Sequence, residues 1–341
     1  MNTFYHFVRD NHLLAIVETA SSKGYVCLNL SNNDLKYVPH NIHTCNRLMK
    51  LFLHKNLITK LPSTLPTLIN LHTLTLDYNG LNEFPKILCE LKSLTNLNIS
   101  CNNIKTLPSE IGQLSLLQVF WCNNTGLKSF PDDIKNCQLL HTLGARGNGL
   151  QQLPDSLGTL AHLRWLTLEN NQLSALPDKF SGLKSLTHLN LKNNCLKQFP
   201  KQLCAIESLR YCYLCSNNIE SLNDEYFNGT TFMKLLDIND NPFPDDNLNY
   251  KKFRHVFYGP KFNKFNTRPV ELHSDENTDS EDSDSDDDWR NSVATTDIDT
   301  TDGSDGEYDA ESWMRMMVAE NVEDIDRVKI EKEKNSATKF M

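Results

Sequence analysis

From Tyr25 onward, leucine-type residues return in one frame every 23 positions. The frame opens at Tyr25, Leu48, Leu71, Leu94, Leu117, Leu140, Leu163, Leu186 and Leu209, with a shortened copy at Met233. Each unit reads L-x-x-L-x-L-x-x-N-x-L-x-x-L-P-x-x-L-x-x-L-x-x. Asparagine fills the ninth position nine times in ten, from Asn33 to Asn241, and proline the fifteenth from Pro39 to Pro200. Apolar positions 4 and 6 alternate with polar 5 and 7, the period of a strand with one buried face. Proline at 15 removes an amide donor and fixes φ, so the chain leaves the sheet there. A single coil can bury its leucines only against its neighbours, and stability becomes a sum over adjacent interfaces. The Asn amide can satisfy turn backbone groups that stacking would otherwise strand.

Over residues 25–246 this pattern resembles the leucine-rich repeat family, in its 23-residue intracellular subtype. The resemblance implies an α/β solenoid: a horseshoe with a parallel concave sheet of about ten strands, some 45 Å long at about 4.8 Å per strand, helical caps and a disordered acidic C-terminal tail. The expected organisation is an N-terminal helical cap over 1–24 and repeats over 25–246, nine full and one truncated. A basic, aromatic cap follows over 247–270, then an acidic disordered linker over 271–310, a short amphipathic helix over 311–334 and a disordered end over 335–341. Phe4, Phe7, Val8, Leu13, Leu14, Ile16 and Val17 supply the apolar residues of the first cap. Leu248, Phe253, Val256 and Phe257 suggest a second helix, over 245–258, closing the last coil.

Charge divides the chain. The 341 residues carry 34 Lys+Arg and 43 Asp+Glu, yet residues 1–270 hold 27 basic and 20 acidic side chains against 7 and 23 thereafter. A mildly basic body with an acidic arm is a common interaction architecture. No run approaches the roughly 20 apolar residues of a membrane helix, and the first ten residues lack the pattern of a secretory signal. The expected location is cytoplasmic, with the nucleus as a second. Both expected caps lack the clustered cysteines of secreted relatives, which favours a reducing compartment. Cys45, Cys122, Cys137 and Cys212 occupy leucine positions and read as small hydrophobes. Cys212 and Cys215 form a lone C-x-x-C, the first expected to point inward and the second outward, so no metal site and no cofactor is expected.

No catalytic motif is visible, and the expected function is non-enzymatic. Positions 3, 5, 7 and 8 of each unit should project from the concave sheet, and exposed Trp, Tyr and Arg there are the types that dominate interface energies. Trp121, Arg146 and Trp165 form the first candidate partner-binding patch, continued by Glu169, His188, Lys192, Tyr211 and Tyr213. Phe52, His54, Lys55 and Tyr78 form a second. Gly144 and Gly147 between the two tryptophans should leave a shallow depression. Thr125 replaces the ladder Asn and Ala145 a core Leu in the same coils, and departures from local consistency tend to fall at functional sites.

Beyond the repeats, residues 249–268 interleave six positive charges with six aromatics. Such mixtures can bind single-stranded nucleic acid, but a cap whose rings cover the last coil is the favoured reading and nucleic acid is not expected as a partner. Residues 271–311 contain 17 acidic residues and one basic, too little apolar surface to offset ordering entropy. Thr278, Ser283, Ser285 and Ser304 each precede an acidic residue by three positions, similar to acceptors of acidophilic kinases.

The motif order resembles intracellular Ras-group leucine-rich repeat proteins such as the Shoc/Sur-type scaffolds. That resemblance implies a signalling scaffold with protein partners, among them small GTPases and phosphatase complexes, and a monomer is the favoured state. Two alternatives stay open: an acidic-tailed nuclear phosphoprotein binding basic partners such as histones, and a substrate receptor of a ubiquitin ligase.

Overall fold

The computed structural model describes residues 2–242 and 256–257. The expected linker, terminal helix and end, most of the basic cap, and Thr278, Ser283, Ser285 and Ser304 lie outside the described residues.

Helix α1 (Asn2–Ser22) leads the chain. Leu13, Val17 and Ala20, one face of the helix, are buried. The helix sits on the first coil: Cys45 Sγ donates to Val17 O at 3.6 Å and Ser21 Oγ to Thr44 O at 3.0 Å. Gly24, at φ +63, ends it and turns the chain into the sheet.

Each unit then contributes a three-residue strand. They are β1 (Cys27–Asn29), β2 (Lys50–Phe52), β3 (Thr73–Thr75), β4 (Asn96–Asn98), β5 (Val119–Trp121), β6 (Thr142–Gly144), β7 (Trp165–Thr167), β8 (His188–Asn190), β9 (Tyr211–Tyr213) and β10 (Leu235–Asp237). All pair in parallel and in sequence order. The register is the repeat itself: Leu51 faces Leu74, and Leu74 faces Leu97. Position-4 and position-6 side chains enter one continuous core. The ten strands form the open wall of a solenoid.

An eleventh strand extends the wall. Val256 and Phe257, expected within a closing helix, form β11 (Val256–Phe257) beside β10, with Leu236 facing Val256. A free strand edge presents unsatisfied N–H and C=O groups, and the returning chain pairs them.

Position 8 turns the backbone off the sheet. In every unit it has positive φ: Asn32, Lys55, Tyr78, Cys101, Asn124, Gly147, Asn170, Asn193, Ser216 and Asp240. The ninth-position asparagines follow. Asn102 Nδ2 donates to Leu76 O and Ile99 O, both at 2.9 Å, while its Oδ1 accepts from Leu81 N–H at 3.0 Å. Asn56, Asn79, Asn148, Asn171, Asn194 and Asn217 repeat that set.

Beyond the ladder, an extended proline opens a five-residue 3-10 helix on the far side of coils one and three to eight, from His40–Thr44 to Lys201–Ala205, while coil two has a shorter one, Leu65–Thr67, entered from Thr64. Coil nine has Asn223 where the others have proline, and there a short helix, α2 (Asp224–Asn228), replaces the 3-10 turn. Asn223 Oδ1 accepts from Glu225 N–H at 3.1 Å, a local cap that proline cannot provide.

Candidate concave binding wall

Strand order puts position-3 side chains of successive coils in one row, position 5 in a second and position 7 in a third. The position-3 row of coils seven to nine is a stack of rings. Trp165 and His188 lie with centroids 3.6 Å apart and planes 7° from parallel, and His188 and Tyr211 follow at 4.6 Å and 17°. Lys234 Nζ lies 5.9 Å from the Tyr211 centroid. Desolvation between two rings, with Lys234 adding repulsion, pushes the His188 pKa down to about 4, so the imidazole is neutral at pH 7.

Polar groups brace the next rows. Arg146 Nε lies 3.5 Å from Glu169 Oε2, which also accepts from Asn190 Nδ2 at 3.2 Å. Asn190 Oδ1 in turn accepts from Lys192 N–H. Arg146 N–H donates to Asn123 Oδ1 at 2.8 Å, fixing the start of the line. Tyr213 is half-buried in row 5, and burial raises its pKa. Trp121, Arg146 and Trp165 all stand half-exposed on this wall.

The expected depression is absent. A Cβ at Gly144 would overlap Cε3 and Cζ3 of Trp121, so the indole occupies the space that the glycine leaves open. Gly147 answers a different need, the positive φ of position 8 at +65. Cys215, expected to face outward, is 6% exposed, shut in beside Asp237.

Nor does Thr125 open the wall. It is 2% exposed, and its Oγ1 lies 3.2 Å from Cys122 O and 2.9 Å from Asn148 Oδ1. Threonine joins the ladder with one hydroxyl in place of an amide. Ala145 is likewise buried in the core.

The second candidate patch divides. Phe52, in register with Asn29 and Thr75 on the neighbouring strands, is only 5% exposed and is not presented to a partner. His54 is half-buried with Nδ1 3.4 Å from Thr75 Oγ1, and burial lowers its pKa. Lys55 and Tyr78, both at position 8, are exposed, Tyr78 by 50%, with Lys55 Nζ 6.0 Å from the ring. Between them Asp77, which sequence reasoning left out of the patch, has its pKa raised to about 6 by burial.

Also missed was a row at position 2. Backbone bonds run from Arg164 N–H to His141 O, Thr187 to Arg164, Arg210 to Thr187 and Lys234 to Arg210, so these residues form consecutive rungs beside the rings. The signal was available: basic residues at position 2 in four of the last five units. All ten cysteines are free thiols, and among the described residues no cluster of His, Cys, Asp or Glu could hold a metal and no helix is long and apolar enough to cross a membrane.

Known proteins place this geometry in a class. Residues 120–235 match the model of a leucine-rich repeat region, and residues 93–114 that of a single leucine-rich repeat. A leucine-rich repeat protein of Leptospira interrogans shares 26% identity with a TM-score of 0.62, over 71% of this chain and 68% of its own. The plant peptide hormone receptor RGFR1, solved in complex with RGF2, shares 28% identity and a TM-score of 0.55, over 63% of this chain. The ectodomain of the receptor kinase GASSHO1/SCHENGEN3 from Arabidopsis thaliana, solved in complex with CASPARIAN STRIP INTEGRITY FACTOR 2, shares 26% and 0.57 over 68%. The matched part spans 36% and 29% of those two receptor chains. No curated protein matches the sequence. The leucine-rich repeat fold is characteristically a protein-binding module, and its members are typically non-enzymatic.

Proposed function

We propose that this chain is a non-enzymatic scaffold that captures a protein partner on the concave wall between Trp121 and Tyr213. The observation that carries the reading is the preorganised surface there: three stacked rings beside the Arg146–Glu169–Asn190 chain, with the backbone groups beneath already paired. Rigid aromatic anchors lose little entropy on binding. The two plant receptors, each solved with its ligand, support a peptide or protein as the occupant. Resemblance to Ras-group repeat proteins supports a place in intracellular signalling, and makes small GTPases and phosphatase complexes the first partners to test, with the cytoplasm as the first compartment.

The test compares the full chain with a Trp121→Ala/Trp165→Ala variant as bait in cells. Loss of the captured partners with a Tm within a few degrees of wild type supports the reading. Capture that survives the double substitution overturns it.

A different reading, binding of basic partners such as histones, draws support from the 17 acidic residues of 271–311. Histone capture that disappears on deleting residues 271–341 but survives the tryptophan substitutions would favour it.

A further inference from the structure

Along the wall's upstream margin, Arg164, Arg210 and Lys234 share the row that begins at His141. Successive rungs are about 4.8 Å apart, so the three cations span about 14 Å. Arg164 and Lys234 are exposed and Arg210 half-buried. None has a carboxylate within ion-pair distance among the described residues. By contrast, Arg146, farther across the wall, is neutralised by Glu169. Arg210 is held in place: its Nη1 donates to Glu207 O at 2.6 Å and Leu209 O at 3.2 Å, leaving its other donors available. Lys184 and His162 add exposed basic groups just upstream in their coils, and Glu207 is the exposed carboxylate there.

The adjoining ring row sharpens the choice of ligand. Trp165, His188 and Tyr211 are stacked face to face across the strands, so most of their faces are covered by one another and solvent meets their edges. Ring edges carry positive electrostatic potential, which favours oxygen acceptors. Base stacking needs open faces, and a nucleic acid would find few. An extended peptide advances about 3.3 Å per residue, so acidic side chains three residues apart, about 10 Å, match Arg164 and Arg210 two rungs apart.

We infer that this margin is a docking surface for an extended acidic peptide of the partner, running across the strands of coils seven to ten. Its carboxylates pair with Arg164, Arg210 and Lys234, and its backbone carbonyls meet the edges of the stacked rings. The inference rests on the concave-wall reading and names the chemistry of the partner.

The experiment measures fluorescence anisotropy of a labelled peptide of four Glu-Ser-Gly repeats on the full chain at low salt, beside a Lys-Ser-Gly control and a dT oligonucleotide of equal length. An Arg164→Gln/Arg210→Gln/Lys234→Gln variant should weaken the acidic peptide about tenfold, the cost of three exposed ion pairs, with unchanged Tm. Added salt should weaken wild-type binding similarly. The Lys-Ser-Gly control, whose charges suit only the acidic stretch after residue 270, should be indifferent to the triple substitution. Peptide affinity that ignores the triple substitution, no detectable peptide binding, or tighter binding of the oligonucleotide overturns the inference. If those results coincide with loss of cellular capture in the Trp121→Ala/Trp165→Ala variant, the concave-wall reading stands while the acidic-peptide inference falls.

Discussion

His188 lies 3.6 Å from Trp165, ring on ring, and is nearly parallel to Tyr211 on its other side. Burial between the two holds its pKa near 4, below the ordinary 6.5. The unfolded chain therefore binds a proton between pH 6.5 and 4 that the folded chain refuses, and stability falls as pH drops through that window. His188→Phe keeps an aromatic in the stack and removes the titration. The variant should gain Tm relative to wild type as pH falls from 7 to 4.5, by calorimetry. A difference independent of pH would show that the imidazole is not held neutral by its neighbours.

Thr125 has one hydroxyl where Asn102 and Asn148 each have an amide that donates to two carbonyls. Thr125→Asn should restore the missing bonds and stabilise the chain by about 1 kcal/mol, read from urea unfolding. Loss of stability would mean that coil five has adapted its spacing to threonine.

Tyr78 sits at φ +52, a conformation that costs an L-residue about 1–2 kcal/mol and asparagine less. Its cation–π contact with Lys55, at 6.0 Å, returns only about 0.5 kcal/mol at such an exposed site. Strain therefore outweighs contact, and Tyr78→Asn should raise the free energy of unfolding, read from urea titration, by up to about 1 kcal/mol. A decrease would assign the ring a packing role that its exposure does not suggest.

The Asp77 pKa is raised from 3.8 to about 6, so the folded chain binds the proton more tightly than the unfolded one. Stability is lost as pH rises from about 4 to 6, and the penalty stays in place above that. Asp77→Asn should stabilise the chain by about 2 kcal/mol at pH 7.5 and leave it unchanged near pH 3.5. Equal stabilisation at both values would point to a cause other than ionisation.

How much of this was legible beforehand depends on the range of the interaction. The strands, their order and the core followed from the 23-residue period, because burial of Leu51, Leu74 and Leu97 repeats identically in each coil. The wall rows followed too: Trp165, His188 and Tyr211 share position 3 on paper as they do in space. Rotamers did not follow. That Trp121 would lie over Gly144, or Phe52 be buried at a position that most coils leave half-exposed, depends on which way a large ring leans. Strand β11 was misread as helix because Val256 and Phe257 carry no repeat signal, and the unpaired edge of β10 decided their conformation. The position-8 turn was hidden by its occupants, since Lys55, Tyr78 and Cys101 are not residues that announce positive φ.

The asparagine ladder has a direction. Asn102 completes the turn of the coil before it, taking the amide of Leu81 and capping Leu76, and Asn241 does the same for Ile219 and Leu214. Coils one to nine, the fourth excepted because its successor carries Thr125, thus borrow an amide from the coil after them. Cutting the array between two coils would therefore strand turn groups on the N-terminal piece rather than on the C-terminal one.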